Sequence, residues 1–192
     1  IEIKANFNGP EGLKAAKAIY QIMQHPAWVN DSGVPSAESD VRATIGGTWD
    51  IANFKNRYGE DYGCAVMPTV TVDGDTKHLG CFVGGKFLGV NPQVSKGDSD
   101  RLVAAHELAM YLAGKEAQTK RYENFGIAPC HSEAKKHPNM ENDPNMIVLN
   151  EQAKFGHPQD AVPAAFWTAP GTFVAGIKDG TITLENIQEA ID

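Results

Sequence analysis

The clearest hydrophobic pattern in this chain is helical, with apolar residues three or four positions apart. It begins in residues 13–23, directly after a proline and an acidic residue that are typical of a helix start. It is strongest in residues 102–112, and Gly114 then marks the end of the helix. The remaining predicted helices are residues 49–58, residues 115–124, residues 146–155 and a last helix capped by Thr183.

Shorter apolar runs between these helices predict strands. The runs are residues 41–45, 62–67, 79–83 and 87–90. Asp73-Gly74 follows the extended residues 69–72 and predicts a hairpin turn. Because helices and strands are interleaved along the chain, the predicted fold class is α/β, with mixed sheets covered by helices.

Composition and charge narrow the possible partners. The 192 residues carry a net charge of −7 and contain no block of Lys and Arg, so no nucleic-acid partner is expected. No apolar run is long enough to span a bilayer. A hydrophobic content of 42% suits one large domain or two small ones, and the acidic surface suits a neutral ligand.

The cysteines and histidines give no strong metal signal. Cys64 and Cys81 lie in apolar runs and are predicted to be buried thiols, with a bridge between them left open. Cys130 and His131, together with His137, lack the second cysteine pair that a zinc site would favour. No metal and no cofactor are therefore expected, and the cysteine count leaves the compartment undecided.

Signatures of catalysis are also missing from the sequence. It contains no nucleophile elbow, no zinc-protease helix and no phosphate-binding loop. Asp50, Glu60 and Asp61 are candidates for the carboxylate pair of a glycosidase. A solvated helix face explains them at least as well, so the chain is not predicted to be an enzyme.

Two tryptophans are the best candidates for ligand contact. Trp49 follows two glycines, and Trp167 follows Phe166 close to Pro170, so either ring is easily left open to solvent. An indole offers an apolar face and one N–H donor. That combination suits a sugar ring, which has an apolar C–H face and a polar rim. The alternative is that both indoles fill a hydrophobic core.

A glycine pair supplies the remaining candidates. Gly84, Gly85 and Lys86 separate two of the predicted strands. The pair indicates either a tight turn or bulge, or a close approach of the backbone to a ligand.

The order of these motifs resembles one family. The motifs are Gly46-Gly47-Thr48-Trp49, Tyr62-Gly63-Cys64-Ala65-Val66-Met67-Pro68, Gly84-Gly85-Lys86-Phe87-Leu88-Gly89-Val90-Asn91, Gly126-Ile127-Ala128-Pro129 and Ala165-Phe166-Trp167. From Ile3 to Ile191 the chain resembles the C-terminal half of the maltose-binding-protein-like extracellular solute-binding proteins of ABC importers.

The resemblance implies a periplasmic-binding-protein-like fold, in which two hinged α/β lobes close on an oligosaccharide. Residues 1–77 and 131–192 would belong to the second lobe, and residues 78–130 to the first. Trp49 and Trp167 match positions that stack on sugar rings in this family. Phe166 accompanies Trp167, and the Gly84 to Lys86 segment matches a strand near the cleft.

The resemblance also implies a location and partners. The location is extracytoplasmic, either periplasmic or as a cell-surface lipoprotein, and the protein partner is the membrane permease of an ABC importer. Because such receptors are considerably longer, the chain is expected to be a fragment held by self-association or by a missing N-terminal segment. The alternatives are a fragment with no ligand site of its own and a glycoside-acting enzyme.

One departure from the family pattern concerns the helix beside Trp167. Pro170-Gly171 lies where the family has an uninterrupted helix. A proline removes one backbone hydrogen bond, so we expect it to kink or shorten this helix and to alter the direction of the Trp167 ring.

Overall fold

The computed structural model describes residues 6–29, 34–36, 39–159 and 164–192. The chain divides into two compact units, each assembled from separate stretches of sequence. The first unit comprises Ile1–Arg42, Met67–Val83 and Phe155–Asp192, and the second unit comprises Ala43–Val66 and Gly84–Lys154.

Helices dominate the described residues. The α-helices are α1 (Pro10–Met23), α2 (Ile51–Tyr58), α3 (Ser99–Ala113), α4 (Lys115–Phe125), α5 (Pro138–Glu141), α6 (Pro144–Ala153), α7 (Thr168–Asp179) and α8 (Ile187–Ile191). Short 3-10 helices occupy Thr48–Asp50, Gly59–Asp61, Pro92–Ser95, Ala134–Lys136 and Ala164–Trp167. Within the described ranges, no helix has the length and apolar character that crossing a bilayer requires.

The strands form two small sheets in the first unit. They are β1 (Thr69–Val72), β2 (Asp75–His78), β3 (Cys81–Val83) and β4 (Gly156–Pro158). The antiparallel pair is β1 with β2, and the parallel pair is β3 with β4. Parallel strands need a long connection, and here it carries the whole stretch from residue 84 to residue 154.

The predicted hairpin is confirmed. Asp73 and Gly74 join β1 to β2 with φ angles of 50° and 80°, the left-handed conformation at both positions that a tight two-residue turn needs. Lys17 of α1 forms an ion pair with Asp73 at 2.7 Å, and Lys14 forms one with Asp75 at 3.3 Å. These exposed pairs add little stability, and they lie where the hairpin packs beside α1.

The core of the first unit lies where α1 packs against α7, α8 and β1. Its buried apolar side chains are Ala16, Ala18, Val72, Ile177 and Ile187. Small alanines on α1 let the neighbouring elements approach closely. Gly176 serves the same purpose on α7, because a β-carbon there would lie 2.6 Å from Cδ1 of Ile182.

The core of the second unit combines apolar packing with a satisfied polar network. Tyr122 of α4 packs with Met140 and Met146, and Ala128 and Leu149 pack against that cluster. The Tyr122 hydroxyl donates to Oδ2 of Asp143 at 3.0 Å, so the ring is buried without leaving its polar atom unpaired.

Asp143 caps the N-terminus of α6 and organises the neighbouring polar groups. Its Oδ1 accepts from the backbone N–H and from the side-chain amide of Asn145, each at 2.9 Å. The Tyr62 hydroxyl in turn donates to Oδ1 of Asn145 at 2.6 Å. Burial acts to raise the pKa of Asp143, but the hydrogen bonds from Asn145 and Tyr122 outweigh it and lower that pKa. Burial and the bond to Asp143 raise the pKa of Tyr122 to about 12.

Three predicted strands are wrong. Residues 41–45, 62–67 and 87–90 form no strand. Of the predicted run 79–83, only Cys81–Val83 enters a sheet, as β3. An apolar run favours an extended backbone, but it forms a strand only where a partner strand accepts its hydrogen bonds. Local sequence does not specify that partner.

The prediction of buried, potentially bridged cysteines is also wrong in part. Cys64 is exposed and Cys81 is half-buried, and both are free thiols, as is Cys130. Cys64 is exposed because the run that holds it, residues 62–67, does not enter a sheet.

Candidate functional site

Four aromatic rings meet on the surface of the first unit, and we call them the aromatic patch: Phe7, Phe82, Phe166 and Trp167. The ring centroids of Phe7 and Phe166 are 5.2 Å apart. Phe166 meets Trp167 edge to face at 5.1 Å, and Phe82 meets Trp167 in the same manner at 5.5 Å. Edge-to-face contacts at such distances are the favourable arrangement for aromatic pairs.

Three separate elements bring these rings together. Phe166 and Trp167 lie in the 3-10 helix that leads into α7. Phe82 is the central residue of β3, opposite His157 of β4. Phe7 lies just before α1. The patch is therefore a tertiary feature, although Phe166 and Trp167 are neighbours in sequence.

Pro170 does not break the helix beside Trp167. The helix α7 runs without interruption from Thr168 to Asp179, and Pro170 occupies its first turn. The first N–H groups of a helix have no partner within the helix, so a proline there removes no hydrogen bond. The expectation that Pro170 removes a backbone hydrogen bond and kinks or shortens the helix is therefore wrong.

The patch is open to solvent. Trp167 is 46% exposed and Phe82 is 48% exposed, while Phe166 between Trp167 and Phe7 is half-buried. Aromatic rings that only filled a core would bury most of this surface. A contiguous exposed apolar surface on a folded protein more often marks a site of binding.

Trp49 is held differently and lies in the second unit. It is 80% exposed, in the 3-10 helix that precedes α2. A β-carbon on Gly47 would lie 2.3 Å from the six-membered part of the indole, so the ring rests directly against the Gly47 backbone. Among the described residues no other aromatic ring contacts it. A side chain at position 47 would displace the indole from this place.

The glycine candidates also belong to the second unit. Gly84, Gly85 and Lys86 are exposed and follow β3 outside any strand. Gly85 lies close to the exposed ring of Phe87, with 3.6 Å between the position of a β-carbon and Cζ of that ring. The exposed backbone is consistent with either interpretation of the glycine pair.

The structure thus brings together only some of the predicted site residues. Phe166 and Trp167 contact one another in the first unit, whereas Trp49 and the Gly84 to Lys86 segment lie in the second. That these two groups share one cleft stays a prediction, as does the assignment of segments to lobes.

Two aromatic residues were missed by the sequence analysis. Phe82 lies in a predicted strand directly before Gly84, and Phe7 precedes a predicted helix. Each is one phenylalanine among eight, and only its contact with Phe166 or Trp167 distinguishes it.

Comparison with known protein families shows which family this chain belongs to. Residues 3–147 match the family described as bacterial extracellular solute-binding protein, which covers more than half of the chain. The chain belongs to this family. Its members are described as extracellular, which implies an extracytoplasmic location for this solute-binding protein.

Individual relatives support the same relationship. The galactooligosaccharide-binding protein of Bacillus subtilis (strain 168) is 26% identical over 145 residues, which are 74% of this chain and 32% of that protein. The alignment thus spans about a third of that relative's length.

A solved structure is similar over nearly the whole chain. It is a maltodextrin-binding protein from L. casei BL23 without ligand, with a TM-score of 0.76 and 22% identity. The similarity covers 97% of this chain and 51% of that chain. It confirms the predicted periplasmic-binding-protein fold. This chain spans about half the length of the solved protein.

Proposed function

We propose that this solute-binding protein binds an oligosaccharide by stacking sugar rings on its exposed aromatic side chains. The observation that carries the proposal is the half-exposed Trp167 ring within the aromatic patch. The relatives support the class of ligand, since one is named for galactooligosaccharides and another for maltodextrin.

The physical basis is burial of apolar surface on both partners. The C–H face of a sugar ring and the face of an indole both leave water when they stack, and each such contact contributes about 1 kcal/mol beyond burial. The sugar hydroxyls stay at the rim of the patch, where water or neighbouring polar groups accept their hydrogen bonds. A neutral ligand of this kind needs no basic site, in keeping with the net charge of −7.

Trp49 is the second proposed stacking surface, with Gly84, Gly85 and Lys86 as proposed backbone and polar contacts. The proposal makes these residues and Trp167 the contacts of one ligand, bound in a cleft between two lobes. The assignment of residues 78–130 to the first lobe, and of residues 1–77 and 131–192 to the second, belongs to the same proposal.

The proposed partner on the membrane is the permease of an ABC importer, which would receive the sugar from this protein. The proposed location is periplasmic, or the cell surface as a lipoprotein. Catalysis is not part of the proposal, because the family and the named relatives are defined by binding.

A protein contact is proposed on α3. This helix has no buried residue, and its exposed apolar side chains are Val103, Leu108, Met110 and Tyr111. We favour as their cover a polypeptide equivalent to the part of the solved relative that this chain does not span. Self-association is the alternative cover, and light scattering after size-exclusion chromatography distinguishes the two, because a stable dimer favours self-association. A stable monomer with one cooperative melting transition contradicts the need for either cover.

Isothermal titration calorimetry with maltotriose and with β-1,4-galactobiose tests the ligand proposal. We expect the unaltered chain to bind at least one of them and Trp167→Ala to bind at least about five-fold more weakly, because one stacking contact is lost. Phe125→Ala removes an exposed ring from the second unit and serves as the matched control, with binding unchanged.

Two results contradict the proposal. The first is no heat of binding with a broader panel of neutral oligosaccharides, which favours the alternative of a fragment without its own ligand site. The second is full affinity in Trp167→Ala, since the stacking surface is then not used. Release of reducing ends from either sugar indicates the glycoside-acting alternative instead.

A further inference from the structure

The contact between β3 and the aromatic patch suggests a role for a residue outside the predicted site. We propose that Phe82 is a positioning residue that sets the plane of the Trp167 ring. The inference rests on the proposed function, because an orientation of Trp167 matters most when a sugar ring stacks on it.

Local structure leaves the Trp167 ring poorly determined. The residue ends a four-residue 3-10 helix and has 46% of its surface in solvent, so surrounding core atoms do not enclose the indole. Phe166 contacts it edge to face, but Phe166 is the preceding residue and moves with the same short helix. A tryptophan at such a position has several staggered rotamers available. A contact from elsewhere in the chain is needed to select one.

Phe82 supplies that contact from a fixed backbone. Its interplanar angle to Trp167 is 75°, with 5.5 Å between centroids, which is a favourable edge-to-face geometry. The residue is the middle one of β3, paired with β4 on both sides of it, at Cys81 with Gly156 and at Val83 with Pro158. Phe82 therefore contacts Trp167 from a hydrogen-bonded strand outside the 3-10 helix that carries the indole.

Phe82 is not explained by core packing. It is 48% exposed, and successive residues of a strand point to opposite faces, so Phe82 and its neighbour Val83 face in different directions. Val83 has a similar exposure on the same strand. Val83→Ala is therefore a matched control that shortens an exposed apolar side chain of β3 without removing the ring that meets Trp167.

The first measurement reads the ring orientation without any ligand. In a chain whose other tryptophans are replaced, Trp28→Phe with Trp49→Phe, the near-ultraviolet circular dichroism of tryptophan reports Trp167 alone. We expect Phe82→Ala and Phe82→Leu to lose most of this signal, and Phe82→Tyr and Val83→Ala to keep it. Far-ultraviolet circular dichroism checks that each variant is folded, and if Phe82→Ala is not, Phe82→Leu decides.

The second measurement adds maltotriose and β-1,4-galactobiose to variants of the otherwise unaltered chain. We expect about five-fold weaker binding for Phe82→Leu, and recovery in Phe82→Tyr, since a misdirected indole loses most of one stacking contact.

The outcomes separate this inference from the proposed function. An unchanged near-ultraviolet signal in folded Phe82→Leu overturns the positioning role, even if affinity falls, because Phe82 then touches the sugar directly. A lost signal together with weaker binding supports it. A lost signal in a chain that binds neither sugar supports the positioning role and contradicts the proposed function.

Discussion

The cluster around Tyr122 and the aromatic patch around Trp167 use the same kind of side chain in opposite ways. Tyr122 is 8% exposed, packs on two methionines and has its hydroxyl bonded to Asp143. Trp167 meets two other rings, yet nearly half of its surface stays in water. The first arrangement stabilises the fold, whereas the second fixes an apolar surface without burying it.

The buried cluster around Tyr122 contributes to stability, whereas the exposed rings of the aromatic patch leave apolar surface in water. Burying the Trp167 surface inside the unit would stabilise the fold further, since apolar burial is favourable. In the proposed function, a ligand buries this surface instead. Substitutions in the two regions should therefore affect different measurements.

The largest expected effect is on the stability of the second unit. Met146 is 2% exposed in the Tyr122 cluster, so Met146→Ala should lower the free energy of unfolding by about 3 kcal/mol through lost burial and a cavity. Ile147→Ala, at an exposed position of the same helix, should cost under about 1 kcal/mol. Urea unfolding followed by circular dichroism measures both. Equal costs mean that this cluster is not the core of the unit.

Substituting the two proposed stacking residues by alanine should lower the free energy of unfolding less, and by different amounts. Trp167→Ala should lower the free energy of unfolding by about 1 to 1.5 kcal/mol, since two ring contacts are lost, and Trp49→Ala by under about 0.5 kcal/mol. The same urea measurement applies. A cost of about 3–5 kcal/mol for either one indicates a core-filling ring and removes the contrast with Tyr122.

The smallest expected effect is the contribution of Asp143, in the Tyr122 cluster, to the pH dependence of stability. The pKa of Asp143 lies below its ordinary value of 3.8 in the folded chain. Its carboxylate therefore contributes stability that is fully present above 3.8 and is lost as the pH falls through the folded-state pKa. Asp143→Asn keeps the helix cap but does not titrate, so its free energy of unfolding should fall less on acidification than that of the unaltered chain.

Urea midpoints from about pH 5 down to about pH 2.5 measure this difference. Tyr122→Phe removes one of the hydrogen bonds that hold the Asp143 pKa down and should show part of the same reduced acid sensitivity. Identical acid dependence in Asp143→Asn and the unaltered chain contradicts the prediction. Ring contacts in the aromatic patch carry no charge and should not respond to pH in this range.

The sequence predicted individual residues of the candidate site but not the contacts between them. The glycines before Trp49 and the short run before Trp167 correctly indicated rings that reach solvent. Phe82 was not predicted, because nothing in its neighbourhood distinguishes it from a strand residue that packs inward. The kinked or shortened helix expected at Pro170 is not found, because Pro170 lies in the first turn of α7 and the sequence does not show where that helix begins.

Local signals in the sequence determined the helices α1, α3 and α4 and the hairpin turn at Asp73-Gly74, because caps, glycine stops and apolar spacing act within a few residues. Motif order over the whole chain determined the family. Only the tertiary structure decided which apolar runs pair as strands, that Cys64 is exposed, and that Phe82 meets Trp167. Those outcomes depend on contacts between residues far apart in the chain, and no local pattern specifies them.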